Sequence, residues 1–208
     1  GSPLLEQAVY AQTAIFAVEY SLLCLARGKG LEPDVVLGHS IGEYAAAVAA
    51  NIMSLEDALH LIVERGRIMQ GIDPRGGIMV ACRCTQEDAQ KAIESLGESA
   101  KTAEVSVING PRSIVLSGEE SHVLKVIHKL GLGERYKRLN TTHAFHSSLV
   151  ADAVKPFSEA LSGIKLRQPA VEFISTALGT KTADEVCTVD YWALQITRPV
   201  KYMESLRE

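Results

Sequence analysis

The sequence predicts an α/β protein built on a mostly parallel sheet, with a smaller βαββαβ unit inserted into it. Three observations carry that reading. The apolar run Val35-Val36-Leu37 is bounded by Pro33 and Gly38, and an alanine-rich stretch to Ala50 follows at once. That is the pattern of a buried parallel strand, a sharp turn and a helix. Between Gly76 and Leu139, short apolar runs and amphipathic stretches alternate in the order strand, helix, strand, strand, helix, strand. The chain has 208 residues, 47% of them hydrophobic and 22% charged, enough to bury a sizeable core as one large domain or two small ones.

Each element has a local cause. From Leu4 to Ala26 the residues Leu5, Ala8, Val9, Ile15, Val18, Leu22 and Leu25 recur at helical intervals, and Gly28 and Gly30 close the helix. Pro33 to Gly38 reads as a strand, and Ser40 to Ala50 as a helix favoured by its alanines. Ser54 suits an N-cap, with Glu56 and Asp57 in the first turn of a helix reaching Gln70. Then come a strand over Ile78–Cys82, a helix over Thr85–Leu96, strands over Val105–Asn109 and Ile114–Leu116, a helix over Glu119–Leu130 and a strand over Tyr136–Leu139. This is the ferredoxin-like split βαβ order. It places a small subdomain at residues 74–141, inserted into a discontinuous, incomplete core of residues 1–73 and 142–208. A helix over Ser148–Leu161, a strand over Ala170–Ser175, and a helix from Tyr191 broken at Pro199 complete the core.

Composition narrows the partners. The formal charge of −4 comes without any basic run, which argues against nucleic acid. No uninterrupted apolar run reaches bilayer-spanning length and no basic n-region opens the chain, so the expectation is a cytoplasmic protein with no membrane partner. Gly1-Ser2 reads as an expression remnant. Cys24, Cys82, Cys84 and Cys187 include a C-x-C but no C-x-x-C, and are expected to be reduced structural thiols.

The chemistry lies in Gly38-His39-Ser40-Ile41-Gly42, a G-x-S-x-G between strand and helix. Its glycines permit a strained turn that projects the Ser40 hydroxyl, while the helix N-terminus offers free N–H groups to an oxyanion. This is the nucleophile elbow of an α/β-hydrolase-like core; the plainer alternative is that Ser40 only caps the helix. Of the six histidines, His60, His122 and His128 fall within helices. His143-Ala144-Phe145-His146 falls in a loop where the chain re-enters the core, a placement that suits functional groups. Its H-x-x-H spacing has no third ligand nearby, so no metal is expected, and no cofactor is implied.

Four segments together resemble the malonyl-CoA:acyl carrier protein transacylases, and most nearly the acyltransferase domains of modular polyketide synthases and fatty acid synthases. They are Gly38-His39-Ser40-Ile41-Gly42-Glu43-Tyr44-Ala45-Ala46, Arg65-Gly66-Arg67-Ile68-Met69-Gln70, His143-Ala144-Phe145-His146-Ser147 and Gln195-Ile196-Thr197-Arg198-Pro199-Val200. The resemblance implies a ping-pong acyltransferase that loads malonyl from malonyl-CoA onto the phosphopantetheine thiol of an acyl carrier protein, next to flanking synthase domains. It makes Ser40 the acylated nucleophile and His146 the general base. Arg65 would receive the malonyl carboxylate, whose two oxygens suit a planar guanidinium fork. His39 would flank the nucleophile, and Ile41 would give an oxyanion N–H. Gln195 would orient the imidazole through its backbone carbonyl, and Gln12 would lie near the oxyanion. Phe145 would fill the space an α-methyl branch needs, favouring malonyl over methylmalonyl.

Family members carry upstream a Gly-Gln-Gly-Ser-Gln loop that supplies the second oxyanion donor, and nothing like it precedes Leu4. The resemblance therefore implies a domain clipped at both ends. Loss of one oxyanion donor slows acylation by about 10²–10³-fold, so a catalytically weak or structural fragment is the alternative reading. A serine esterase or thioesterase is the more distant one. It would need an acid between Ser and His in chain order, and Asp57, Asp73 and Asp88 all fall in or beside helices and the insert.

Overall fold

A computed structural model describes residues 3–208, so Gly1-Ser2 lie outside the described residues. After a 3-10 turn at Pro3–Glu6 come helix α1 (Ala8–Gly28), strand β1 (Val35–Leu37), helix α2 (Gly42–Ala49) and helix α3 (Leu55–Gly71). The strand matches the apolar run and is shorter than the Pro33–Gly38 stretch expected, since Pro33 has no N–H to give to a ladder. At the start of α3 the Ser54 hydroxyl accepts the Asp57 N–H at 3.0 Å, as the capping pattern requires. Helices α1 and α3 touch through Gly66, where a Cβ would lie 2.7 Å from the Val9 Cα. That contact brings Gln12 and Arg65 together in the interior.

Strand β2 (Gly77–Cys82), helix α4 (Gln86–Leu96), strands β3 (Glu104–Gly110) and β4 (Ser113–Glu119), helix α5 (Glu120–Lys129) and strand β5 (Tyr136–Arg138) follow. The four strands form their own sheet in the order β3-β4-β2-β5, with every neighbouring pair antiparallel. This is the ferredoxin-like arrangement. Helices α4 and α5 cover it, and Ile78, Val80, Leu116, Val123 and Val126 fill a separate apolar core. Cys82 and Cys84 are free thiols in that core, and burial pushes Cys82 up to about 12. Cys24 and Cys187 are free as well.

The single helix expected over Ser148–Leu161 is instead a 3-10 turn at Ser148–Ala153 followed by α6 (Val154–Ala160). Pro156 explains the break: it lacks an N–H, and the restart at Val154 places it in the first α-helical turn, where none is needed. Strand β6 (Glu172–Ser175) pairs in parallel with β1, Val36 opposite Phe173. A two-residue strand, β7 (Thr180–Lys181), extends the sheet antiparallel to β6 and had no counterpart in the sequence reading. Helix α7 (Val189–Gln195) ends before Pro199, and α8 (Tyr202–Ser205) follows. The main core packs α2 and α3 around Phe16, Tyr44, Leu61, Phe157, Phe173 and Trp192. Backbone bonds from the Val200 N–H to the Ser106 carbonyl (2.9 Å) and from the Ile108 N–H to the Val200 carbonyl (2.8 Å) stitch the second sheet to the segment after α7.

Helix α1, at 21 residues, is long and apolar enough to cross a membrane by length and composition, although Gln12, Thr13, Glu19 and Ser21 interrupt its apolar run. In the fold one face of α1 buries Ala8, Gln12 and Phe16, while Ile15, Val18, Leu22 and Leu25 are exposed.

Candidate active site

Between β1 and α2 the chain turns so sharply that a Cβ on Gly38 would lie 2.0 Å from the Gly42 carbonyl carbon. Only glycine fits. Ser40 at the apex has φ +55°, a left-handed conformation that costs a non-glycine residue on the order of 1–3 kcal/mol and persists only where its surroundings hold it. Ser40 does not cap the helix: the N-cap position is Ile41, and no side chain bonds there. The Ile41 N–H makes no backbone hydrogen bond among the described residues and opens the positive end of α2.

The Ser40 hydroxyl reaches instead across the chain, its Oγ 2.7 Å from His146 Nε2. His146 is also left-handed, at φ +57°, so the two residues that meet are both strained. Its Nδ1–H donates to the Arg198 carbonyl at 2.8 Å. A carbonyl only accepts, which assigns the proton to Nδ1 and leaves Nε2 with a lone pair facing Ser40. Burial first, then the Arg65 charge, push His146 down to about 3, leaving a neutral ring at physiological pH. Such a pair can take a proton from an attacking hydroxyl. The other histidine of H-x-x-H faces elsewhere: His143 is buried, with Nε2 3.0 Å from the Ile72 carbonyl and Nδ1 2.8 Å from the Thr142 hydroxyl.

Ser40 and His146 border a cavity of about 350 Å³ between the two sheets, with Arg65, Gln12, His39, Ile41 and Phe145 also in its wall. A larger shallow groove near Pro33 and Lys181 holds no nucleophile–base pair. Arg65 is buried, yet no carboxylate lies within ion-pair distance among the described residues. Its Nη1 donates to Gln12 Oε1 at 2.7 Å, while Nε, beside the Tyr44 hydroxyl, has no well-formed hydrogen bond among the described residues. Burial pushes the guanidinium down from its ordinary value. A buried cation with an open donor is a site built for an anion. Phe145 packs against both the main core and the apolar cluster of Met79, Val107 and Val115. His39, more exposed, donates from Nε2 to Asn109 Oδ1 at 3.0 Å across the cleft, with its ring 5.3 Å from that of Tyr202.

The acyl transferase domain model matches residues 2–208. The chain belongs to the acyl transferase domain family. Over 209 residues this acyl transferase domain is 37% identical to polyketide synthase GfsB of Streptomyces halstedii, covering all of the chain but 4% of that synthase. It is 36% identical to the mycoketide-CoA synthase of Mycobacterium tuberculosis, across 98% of the chain and 5% of that protein. Among solved structures, the acyltransferase domain from the second module of the salinomycin polyketide synthase superposes with TM-score 0.91 at 34% identity. That match covers the whole chain and 48% of that domain. The structure of MCAT from Streptococcus pneumoniae superposes with TM-score 0.89 at 28% identity, over 98% of the chain and 67% of its own. The chain thus spans about half to two thirds of these solved acyltransferases and a small part of the synthases.

The geometry of the acyl transferase domain adds detail at two further predicted positions, Gln195 and Gln12. The carbonyl that holds the His146 ring is that of Arg198, with the Gln195 backbone a weaker neighbour. The Gln195 side chain instead donates from Nε2 to the Ser40 carbonyl at 2.8 Å. Gln12 accepts from Arg65 in the wall of the cavity that Ser40 and Ile41 also line. Sequence reasoning passed over Asn109 and Arg198. Asn109 lies at the penultimate position of β3, and Arg198 acts through a carbonyl every residue has, so neither carries a side-chain signal.

Proposed function

We propose that this chain is an acyltransferase that takes malonyl from malonyl-CoA as an ester on Ser40 and passes it to the phosphopantetheine thiol of an acyl carrier protein, within polyketide or fatty acid biosynthesis. The observation that carries the reading is the 2.7 Å contact between Ser40 Oγ and a neutral His146, in one cavity with a buried cation that lacks a carboxylate.

In the first half-reaction His146 Nε2 takes the Ser40 proton as Oγ bonds to the thioester carbon. The oxyanion forms at the Ile41 N–H, and Arg65 receives the distal carboxylate. Collapse breaks the C–S bond, and the Nε2 proton passes to the departing CoA sulfur. In the second half the carrier thiol gives its proton to Nε2, its sulfur bonds to the acyl carbon, and the Ser40 oxygen leaves and is reprotonated. Phe145 favours malonyl over methylmalonyl by filling space near the α-carbon. The His146 Nδ1–H faces a carbonyl and not an acid, which supports this reading over an esterase with a Ser-His-Asp arrangement. We also assign residues 74–141 as an inserted subdomain whose packing on the core forms one wall of the cavity, with flanking synthase domains as partners of the larger protein.

Incubation with equal malonyl-CoA and methylmalonyl-CoA, followed by intact-protein mass spectrometry, tests the proposal. The expected product is predominantly malonyl-enzyme that discharges on a carrier thiol. Acyl groups lost to water instead of thiol would make the chain a hydrolase.

A further inference from the structure

Three residues after the nucleophile, Glu43 is a fully buried carboxylate that the proposed mechanism does not use. Donors converge on it from two other parts of the fold. Its Oε1 accepts from the Thr176 N–H at 2.6 Å and lies 2.8 Å from the Thr176 hydroxyl, just past β6. Its Oε2 lies 2.8 Å from the Tyr191 hydroxyl and 3.2 Å from Gln195 Nε2, both on α7. The Gln195 amide is the revealing member. One of its N–H groups points to Glu43 and the other to the Ser40 carbonyl at 2.8 Å, while its own Oε1 is buried without a partner among the described residues. Turned over, the amide would set an oxygen against a carboxylate and a carbonyl, so its two acceptors decide its orientation. The amide is held for its donors.

We propose that Glu43 is a positioning residue for the Ser40 nucleophile, acting through the Gln195 side-chain amide that bridges the Glu43 carboxylate and the Ser40 carbonyl. The bridge lies where strain is concentrated. Ser40 is left-handed, and its carbonyl is gripped by the Glu43 N–H at 3.1 Å from within the turn and by Gln195 from outside. Three residues beyond Gln195, Arg198 offers the carbonyl that aims His146. Glu43 therefore ties the nucleophile's turn to the segment that orients its base, and sets the distance between them. A carboxylate suits the place because it accepts in several directions and donates in none.

This inference rests on Ser40 being the acylated residue. Gln195→Leu removes the bridge and nearly keeps the volume; Gln195→Met serves if the leucine variant does not fold. The rate of malonyl transfer from malonyl-CoA to Ser40 should fall about 10–100-fold through misplacement of the nucleophile. KM for malonyl-CoA should stay within about twofold, since no substrate contact is lost. Glu43→Gln, which turns an N–H toward that of Gln195, should lose a similar factor, and in the Gln195→Leu background it should cost little more. Additive losses, or a Gln195→Leu variant at the wild-type rate, would overturn the proposal. If the wild-type chain takes no acyl group from malonyl-CoA, the functional reading fails separately. The Ser40 amide NMR resonance then decides: it should move in both single variants, and an unmoved resonance would refute the positioning role.

Discussion

Replacing Arg65 by methionine should raise stability or leave it level while removing the preference for malonyl. Arg65 is buried, donates to Gln12 at 2.7 Å and neighbours the Tyr44 hydroxyl, but has no carboxylate in ion-pair range among the described residues. Without ligand its charge is therefore desolvated and poorly compensated. Even a whole buried ion pair can often be replaced by apolar residues of similar volume at no cost or with a gain of about 1–4 kcal/mol, and here no ion pair is lost. The lost Gln12 bond offsets about 1 kcal/mol of that. For a chain of this size each kcal/mol moves Tm by roughly 2–4 °C, so the melting temperature should be unchanged or several degrees higher. Binding moves the other way: a charge-assisted pair with the malonyl carboxylate contributes about 1.5–3 kcal/mol, or roughly 10–150-fold in kcat/KM. Malonyl-CoA and acetyl-CoA compared by intact mass, alongside a thermal melt, measure both. A Tm lowered by more than about 5 °C would show that Arg65 stabilises the empty fold, and an unchanged malonyl preference would show that it does not meet the carboxylate.

Ser40→Gly should abolish acylation and raise stability by about 1 kcal/mol, because glycine takes φ +55° without strain; a chemical denaturation curve reads this. With His146 at about 3, the acylation rate should stay level from about pH 8 to pH 5 rather than fall through the ordinary histidine range near 6.5. The linked stability has the opposite window. His146 stays neutral in the native state while the unfolded chain takes a proton, so its stabilising contribution, present above about 6.5, is lost toward pH 3 at up to about 1.4 kcal/mol per pH unit. Phe145→Ser should open the cavity wall to an α-methyl group and shift the methylmalonyl-to-malonyl ratio by about 1–3 kcal/mol, read from competitive loading.

What the sequence made legible follows from which signals side chains carry. The elbow at Gly38–Gly42 was readable because the turn admits only glycine at Gly38. The ferredoxin-like order was readable because each of its elements has its own apolar pattern. Strand β7, two residues long, has no room for a pattern. Pro156 was visible, but its effect depends on where the preceding turn stops, and that is settled by packing. The site's least legible parts are backbone groups: the Arg198 carbonyl on His146, and the Ser40 carbonyl under Gln195. Arg65 showed the converse. On a helix pattern alone it passes for a surface residue, and it is the close α1–α3 approach at Gly66 that buries it.

The central claim is that Ser40, prepared by His146, carries the acyl group. Peptide mapping by mass spectrometry after exposure to malonyl-CoA tests it most directly. A malonyl ester is expected on the peptide containing Ser40 in the wild-type chain, and none in Ser40→Ala or His146→Ala. A malonyl group on another residue, or one that persists in Ser40→Ala, would contradict it.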